Sequence, residues 1–93
     1  MKIVAVCGSG LGSSFMLEMN VQDILRDLGV SGIEVSHTDV GSATPDMADV
    51  WICAKDVAES IENLGEVVVI DSIIDNDSIR EKLQEMLHKK NLI

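Results

Sequence analysis

Short continuous apolar runs alternate along the chain with longer stretches whose apolar residues recur every three or four positions. Ile3-Val4-Ala5-Val6 is the first run. It is unbroken, so residues 2–6 read as a strand buried on both faces. Leu17, Val21, Ile24, Leu25 and Leu28 then fall on one stripe, which predicts a helix over 13–28. Gly29 stands where that helix should stop. Ile33-Glu34-Val35-Ser36 alternates and reads as a half-exposed edge strand. Residues 38–48 contain Gly41 and Pro45 and read as a loop with a short helical turn before Ala48. Val50-Trp51-Ile52-Cys53-Ala54 is a second fully buried strand. Asp56 and Glu59 predict a helix N-cap pair. Val57, Ile61 and Leu64 form that helix's buried stripe, and Gly65 ends it. Val67-Val68-Val69-Ile70 is a fourth strand. Ser78 with Glu81 predicts another capping box. Ile79, Leu83, Met86 and Leu87 line the last helix, with Lys89 and Lys90 at its negative end.

Strands and helices in this alternation predict an α/β fold, a parallel sheet covered by helices on both faces. Right-handed crossovers with the first strand central give a four-stranded sheet of order 2-1-3-4. There is no repeat and no linker, so residues 1–93 read as a single domain. The order reverses between strands 1 and 3, and open α/β sheets bind ligands at such a point, beyond the C-terminal strand ends.

The stretch at that point is Cys7-Gly8-Ser9-Gly10-Leu11-Gly12-Ser13-Ser14. A thiol ends the first strand, small residues turn the chain, and a helix begins. Glycines at alternate positions permit positive φ and clear space for a ligand. Inward-pointing N–H groups of such a loop form an anion cradle, and the helix start adds further donors. The same donors stabilise a thiolate, so Cys7 is expected to be a nucleophile. Dinucleotide binding is disfavoured, because the Gly-x-Gly-x-x-Gly spacing is not met and the chain is too short for two halves.

Composition narrows the partners. The chain has 93 residues and a net charge of −9. That balance argues against nucleic acid, where basic residues supply most of the affinity, and against anionic membranes. No apolar run approaches a membrane span, and the N-terminus has no signal-peptide layout. Two cysteines in such a chain read as thiols. The expectation is a soluble cytoplasmic protein with an aliphatic core, since Phe15 and Trp51 are the only aromatics apart from histidine.

The segment from Cys7 to Ser14, behind Lys2-Ile3-Val4-Ala5-Val6, resembles the active-site loop of the IIB components of the bacterial phosphoenolpyruvate-dependent sugar phosphotransferase system. Its glycine spacing and Gly-Ser-Ser ending look most like the ascorbate-type branch. The resemblance implies that Cys7 takes a phosphoryl group from a phosphohistidine on a IIA component. It implies that Gly8, Ser9, Gly10, Leu11, Gly12, Ser13 and Ser14 form the phosphate loop. The acceptor it implies is ascorbate or a related sugar entering through a membrane IIC component, beside which the carrier works. No cofactor and no metal are implied.

The loop is also similar to that of low-molecular-weight tyrosine phosphatases, which use Cys-x5-Arg-Ser/Thr. Here Ser13 holds the arginine's place, and the loop has no charge to clamp a transition-state phosphoryl. A general acid is needed as well. Asp39, Asp71 and Asp75 fall on loops without a recognisable acid motif. A phosphatase-like or arsenate-reductase-like thiol enzyme, and an anion-sensing regulatory domain, are the alternatives.

The remaining candidates have plainer readings. Cys53 lies inside a buried strand and reads as core. His37 reads as a solvated strand-end histidine, and His88 ends the last helix. Neither has a metal-ligand companion. Lys55 follows the third strand, where it either approaches the switch point or, the plainer reading, is a surface lysine. Asp71, Asp75 and Asp77 cap or solvate the loop before the final helix. Phe15, Met16 and Met19 fall off the buried stripe near the cysteine. They either fill core or form an apolar patch that docks a partner.

Overall fold

The computed structural model describes residues 1–7, 12–71 and 75–93, excluding the side chains of residues 12 and 13. The elements are β1 (Lys2–Cys7), α1 (Gly12–Asp27), β2 (Glu34–Asp39), β3 (Val50–Ala54), α2 (Lys55–Ile61), β4 (Glu66–Ile70) and α3 (Asn76–Lys89). Two 3₁₀ turns, Val40–Ser42 and Pro45–Met47, join β2 to β3. The sheet is parallel throughout, in the order β2-β1-β3-β4.

The unbroken apolar runs are sheet centre. Ile3, Val4 and Ala5 of β1 and Val50 through Cys53 of β3 are all fully buried. Alternate residues of each strand feed opposite faces. Ile3, Ala5, Ile52 and Ile70 pack against Leu17, Val21, Leu83 and Leu87 of α1 and α3. Val4, Val6, Trp51 and Cys53 pack against Val57 and Ile61 of α2, with Ala43 and Met47 from the turns. Each fully buried aliphatic side chain contributes about 1.5–3 kcal/mol, so these two layers dominate the favourable side of folding.

Several local expectations are corrected. The predicted second strand, 33–36, in fact runs Glu34–Asp39, because β1 extends to Cys7 and each residue from Glu34 to Asp39 faces one from Lys2 to Cys7. Main-chain pairing thus carries the strand past its alternating pattern. Asp56 is no N-cap: β3 runs straight into α2, so the cap is Ala54 in extended conformation without a side-chain bond, and Asp56 lies inside the first turn. α2 also stops at Ile61, and Leu64 packs from the turn that follows. α3 is capped three residues before Ser78, where the Asp75 carboxylate accepts from the Ser78 N–H at 3.2 Å. Asp75 supplies the carboxylate at the true cap position, so Ser78 falls inside the first turn and Glu81 beyond it. Gly29 does end α1: its φ of +73° turns the chain, and the Val30 N–H closes back on the Leu25 carbonyl at 3.0 Å.

Candidate active site

Cys7 is the last residue of β1 and is 7% exposed. Its register partner on β2 is Asp39. On the other side Val6 pairs with Cys53, which puts Ala54 level with Cys7 and Lys55 just beyond it. Alternation with Ile3 and Ala5 turns Cys7 toward the α1 side of the sheet. Ser14, in the first turn of α1, is buried to 1% exposure. Gly12 and Ser13 lie in the same turn. Gly8, Ser9, Gly10 and Leu11, expected to complete a phosphate loop, lie outside the described residues. What the described residues bring together is a nearly buried thiol at a C-terminal strand end and the start of a helix of 16 residues. These flank the sheet's switch point, where an anion meets main-chain donors and a favourable dipole.

The rim around Cys7 is polar. Asp39 turns its carboxylate onto the Ser42 N–H at 2.7 Å, which closes β2 into the first 3₁₀ turn. Lys55 Nζ meets Asp71 Oδ1 at 2.9 Å, across the C-terminal ends of β3 and β4. The Lys55 ammonium, first by hydrogen bond and then by charge, holds the Asp71 carboxyl below its ordinary value, and Lys82 adds to this.

Sequence reasoning missed one cluster. His37 is not solvated at a strand end. It is half-buried within β2, where its Nδ1–H donates to Glu18 Oε2 of α1 at 2.9 Å. The ring of Phe15 lies against the imidazole, centroids 5.5 Å apart at a tilt of 56°. The signal was the register: His37 pairs with Ala5, whose side chain points under α1, so a polar residue there needs a partner on the helix. Phe15, Met16 and Met19 are about half exposed, at 50%, 48% and 47%, so the patch is present and is not core.

Cys53 is the opposite of Cys7 in placement. It is fully buried in the α2 layer. Burial, then the charge of Asp56, pushes its thiol up to about 11. Both cysteines are thiols rather than half-cystines. His88 is exposed at the end of α3. Among the described residues no three His, Cys, Asp or Glu side chains converge to hold a metal. None of the described helices is long and apolar enough to cross a membrane.

Comparison with known proteins adds a family. A family model described as "PTS system, Lactose/Cellobiose specific IIB subunit" matches residues 2–85. Among solved structures, the lactose-specific IIB component domain of the phosphoenolpyruvate:carbohydrate phosphotransferase system from Streptococcus pneumoniae is similar, with a TM-score of 0.65 and 20% identity over 95% of each chain. A low molecular weight protein tyrosine phosphatase from Bacillus subtilis superposes equally well, with a TM-score of 0.65 and 15% identity over 98% of this chain and 99% of the other. No curated protein matches the chain. At these identities the two structures establish the fold alone.

Proposed function

We propose, from the premise that this chain belongs to the lactose/cellobiose-specific IIB family of the phosphotransferase system, that it carries a phosphoryl group on Cys7. The family gives the reaction class, phosphoryl transfer in sugar uptake. The observation that supports Cys7 is a single one: a thiol ending β1 at the switch point, directly ahead of α1.

In the first step the Cys7 sulfur attacks the phosphorus of a phosphohistidine on a IIA protein. An S–P bond forms, the N–P bond breaks, and the imidazole leaves with the proton the thiol gives up. In the second step a substrate hydroxyl attacks the same phosphorus. An O–P bond forms, the S–P bond breaks, and the sulfur takes back a proton. Backbone N–H groups of residues 8–14 hold the phosphoryl oxygens through both steps. The domain works in the cytoplasm, where IIA and the membrane IIC component meet it. The half-exposed Phe15, Met16 and Met19 face is where IIA docks, because α1 leads away from the cysteine and carries that face beside it. The loop's resemblance to the ascorbate-type branch implies ascorbate or a related sugar as acceptor, while the family description favours lactose or cellobiose.

The phosphatase reading draws on the shared fold. Ser13 in place of the phosphatase arginine weighs against it, since hydrolysis needs a guanidinium fork on the equatorial oxygens. A carrier gains from that lack, because it must hold its phosphoryl until the acceptor arrives. The test pairs two assays on the purified chain. Phosphorylated IIA protein should load it stoichiometrically, and the loaded form should release phosphate to one of lactose, cellobiose or ascorbate through the matching IIC membranes. Turnover of p-nitrophenyl phosphate without partners would instead make it a phosphatase.

A further inference from the structure

Lys55 occupies a particular place in the sheet register. Val6 pairs with Cys53, and Ala54 pairs with Ile70. One step on, Lys55 therefore stands level with Asp71 on the β4 side and one residue beyond Cys7 on the β1 side, since Cys7 is level with Ala54. Strand spacing and rise put each within about 6 Å of Lys55, main chain to main chain. A four-carbon stem ending in an ammonium spans either gap. In the structure Lys55 is turned to Asp71, at 2.9 Å.

That ion pair is easily exchanged. Its side chains are 73% and 68% exposed, where pairs gain little and are screened. A phosphoryl group at neutral pH carries about −1.5 to −2 charges, against −1 for a carboxylate. Asp71 also feels Lys82 of α3, which favours its charged form as well, so it does not depend on Lys55 alone. The balance tips toward the phosphoryl group when one is present.

We propose that Lys55 is the counter-ion of the phosphorylated Cys7: it exchanges Asp71 for the phosphoryl oxygens when the cysteine is loaded and returns when the group leaves. This rests on the carrier reading. It supplies the positive charge that the uncharged loop around Cys7 lacks, and it does so reversibly, with a point charge where a phosphatase keeps a fixed guanidinium fork. Asp71 is then the parking site that keeps the lysine at the rim between cycles.

The test installs phosphocysteine chemically at Cys7 in a Cys53→Ala background, by elimination to dehydroalanine and addition of thiophosphate. The second ionisation of the phosphoryl group is followed by ³¹P NMR against pH. Lys55→Met should raise its midpoint by about half a pH unit, the size of an exposed ion pair. Asp71→Asn should lower it, because Lys55 loses its competing partner. Lys82→Met removes the same charge from a neighbouring site and should move it less than half as far as Lys55→Met. An unmoved midpoint in Lys55→Met, or an equal shift in Lys82→Met, overturns the assignment and leaves the carrier reading standing. Failure of phosphorylated IIA protein to load Cys7 defeats the carrier reading itself, whatever the titration gives.

Discussion

The buried thiol of Cys53 should show itself in how the stability of this chain responds to alkali. Cys53 is fully buried between β-sheet and α2, and burial with the Asp56 charge lifts its thiol from an ordinary 9.0 to about 11. The sign follows directly. An unfolded chain releases the Cys53 proton above pH 9, while the folded chain keeps it until about pH 11. The stability this represents is fully present below pH 9 and is lost as pH rises through 11. Across two units it amounts to about 2.7 kcal/mol at the limit, and to about 2 kcal/mol between pH 8 and pH 10.5. Other groups titrate in that window, so the measurement is a difference. Urea unfolding of the wild type and of Cys53→Ala is followed at both pH values. At pH 8 the variant should be less stable, by about 1–2 kcal/mol for the lost sulfur and the small void. By pH 10.5 that gap should close or invert, since only the wild type pays the deprotonation term. A gap that stays constant from pH 8 to pH 10.5 would refute the claim that burial keeps this thiol protonated, and with it the division between one structural and one chemical cysteine.

Three other outcomes follow from named contacts. Glu18→Gln and His37→Gln, taken singly and together in a double-mutant cycle, should show a coupling of about 1 kcal/mol in urea unfolding, as a half-buried bond at 2.9 Å implies. Asp75→Ala should cost about 1 kcal/mol by removing the α3 cap, with an unchanged denaturant slope. Phe15→Ser with Met19→Ser should keep the fold at a cost of about 1–3 kcal/mol for the covered half of each side chain, yet slow loading by phosphorylated IIA protein at least tenfold at a temperature where the variant is fully folded.

Much of the architecture was legible because both central strands are unbroken apolar runs. Ile3 to Val6 and Val50 to Cys53 fit strands covered on both faces, the helical patterns between the strands point to parallel pairing, and the crossover rule then leaves few strand orders. The helix starts were less legible. α2 follows β3 without a loop, so the Asp56 signal had no cap to make, and Asp75 outcompeted Ser78 by standing where the chain actually turns. At the site, the position of Cys7 followed from pattern and topology alike. His37 did not, because its burial depends on a partner, Glu18, nineteen positions away, and no local pattern links the two. Lys55 was visible as a strand-end lysine, but its place level with Asp71 and one residue beyond Cys7 emerges only from the register of three strands.

The proposed phosphoryl transfer stands on one sulfur, at the end of β1. The most direct measurement is peptide-level mass spectrometry of the chain after loading with phosphoenolpyruvate, the general phosphocarrier proteins and a IIA protein, kept at neutral pH to preserve labile phosphate. One phosphate is expected, on the peptide holding Cys7, lost in Cys7→Ser and retained in Cys53→Ala. Phosphate on His37, His88 or Cys53, or a Cys7→Ser chain that still loads, would contradict it.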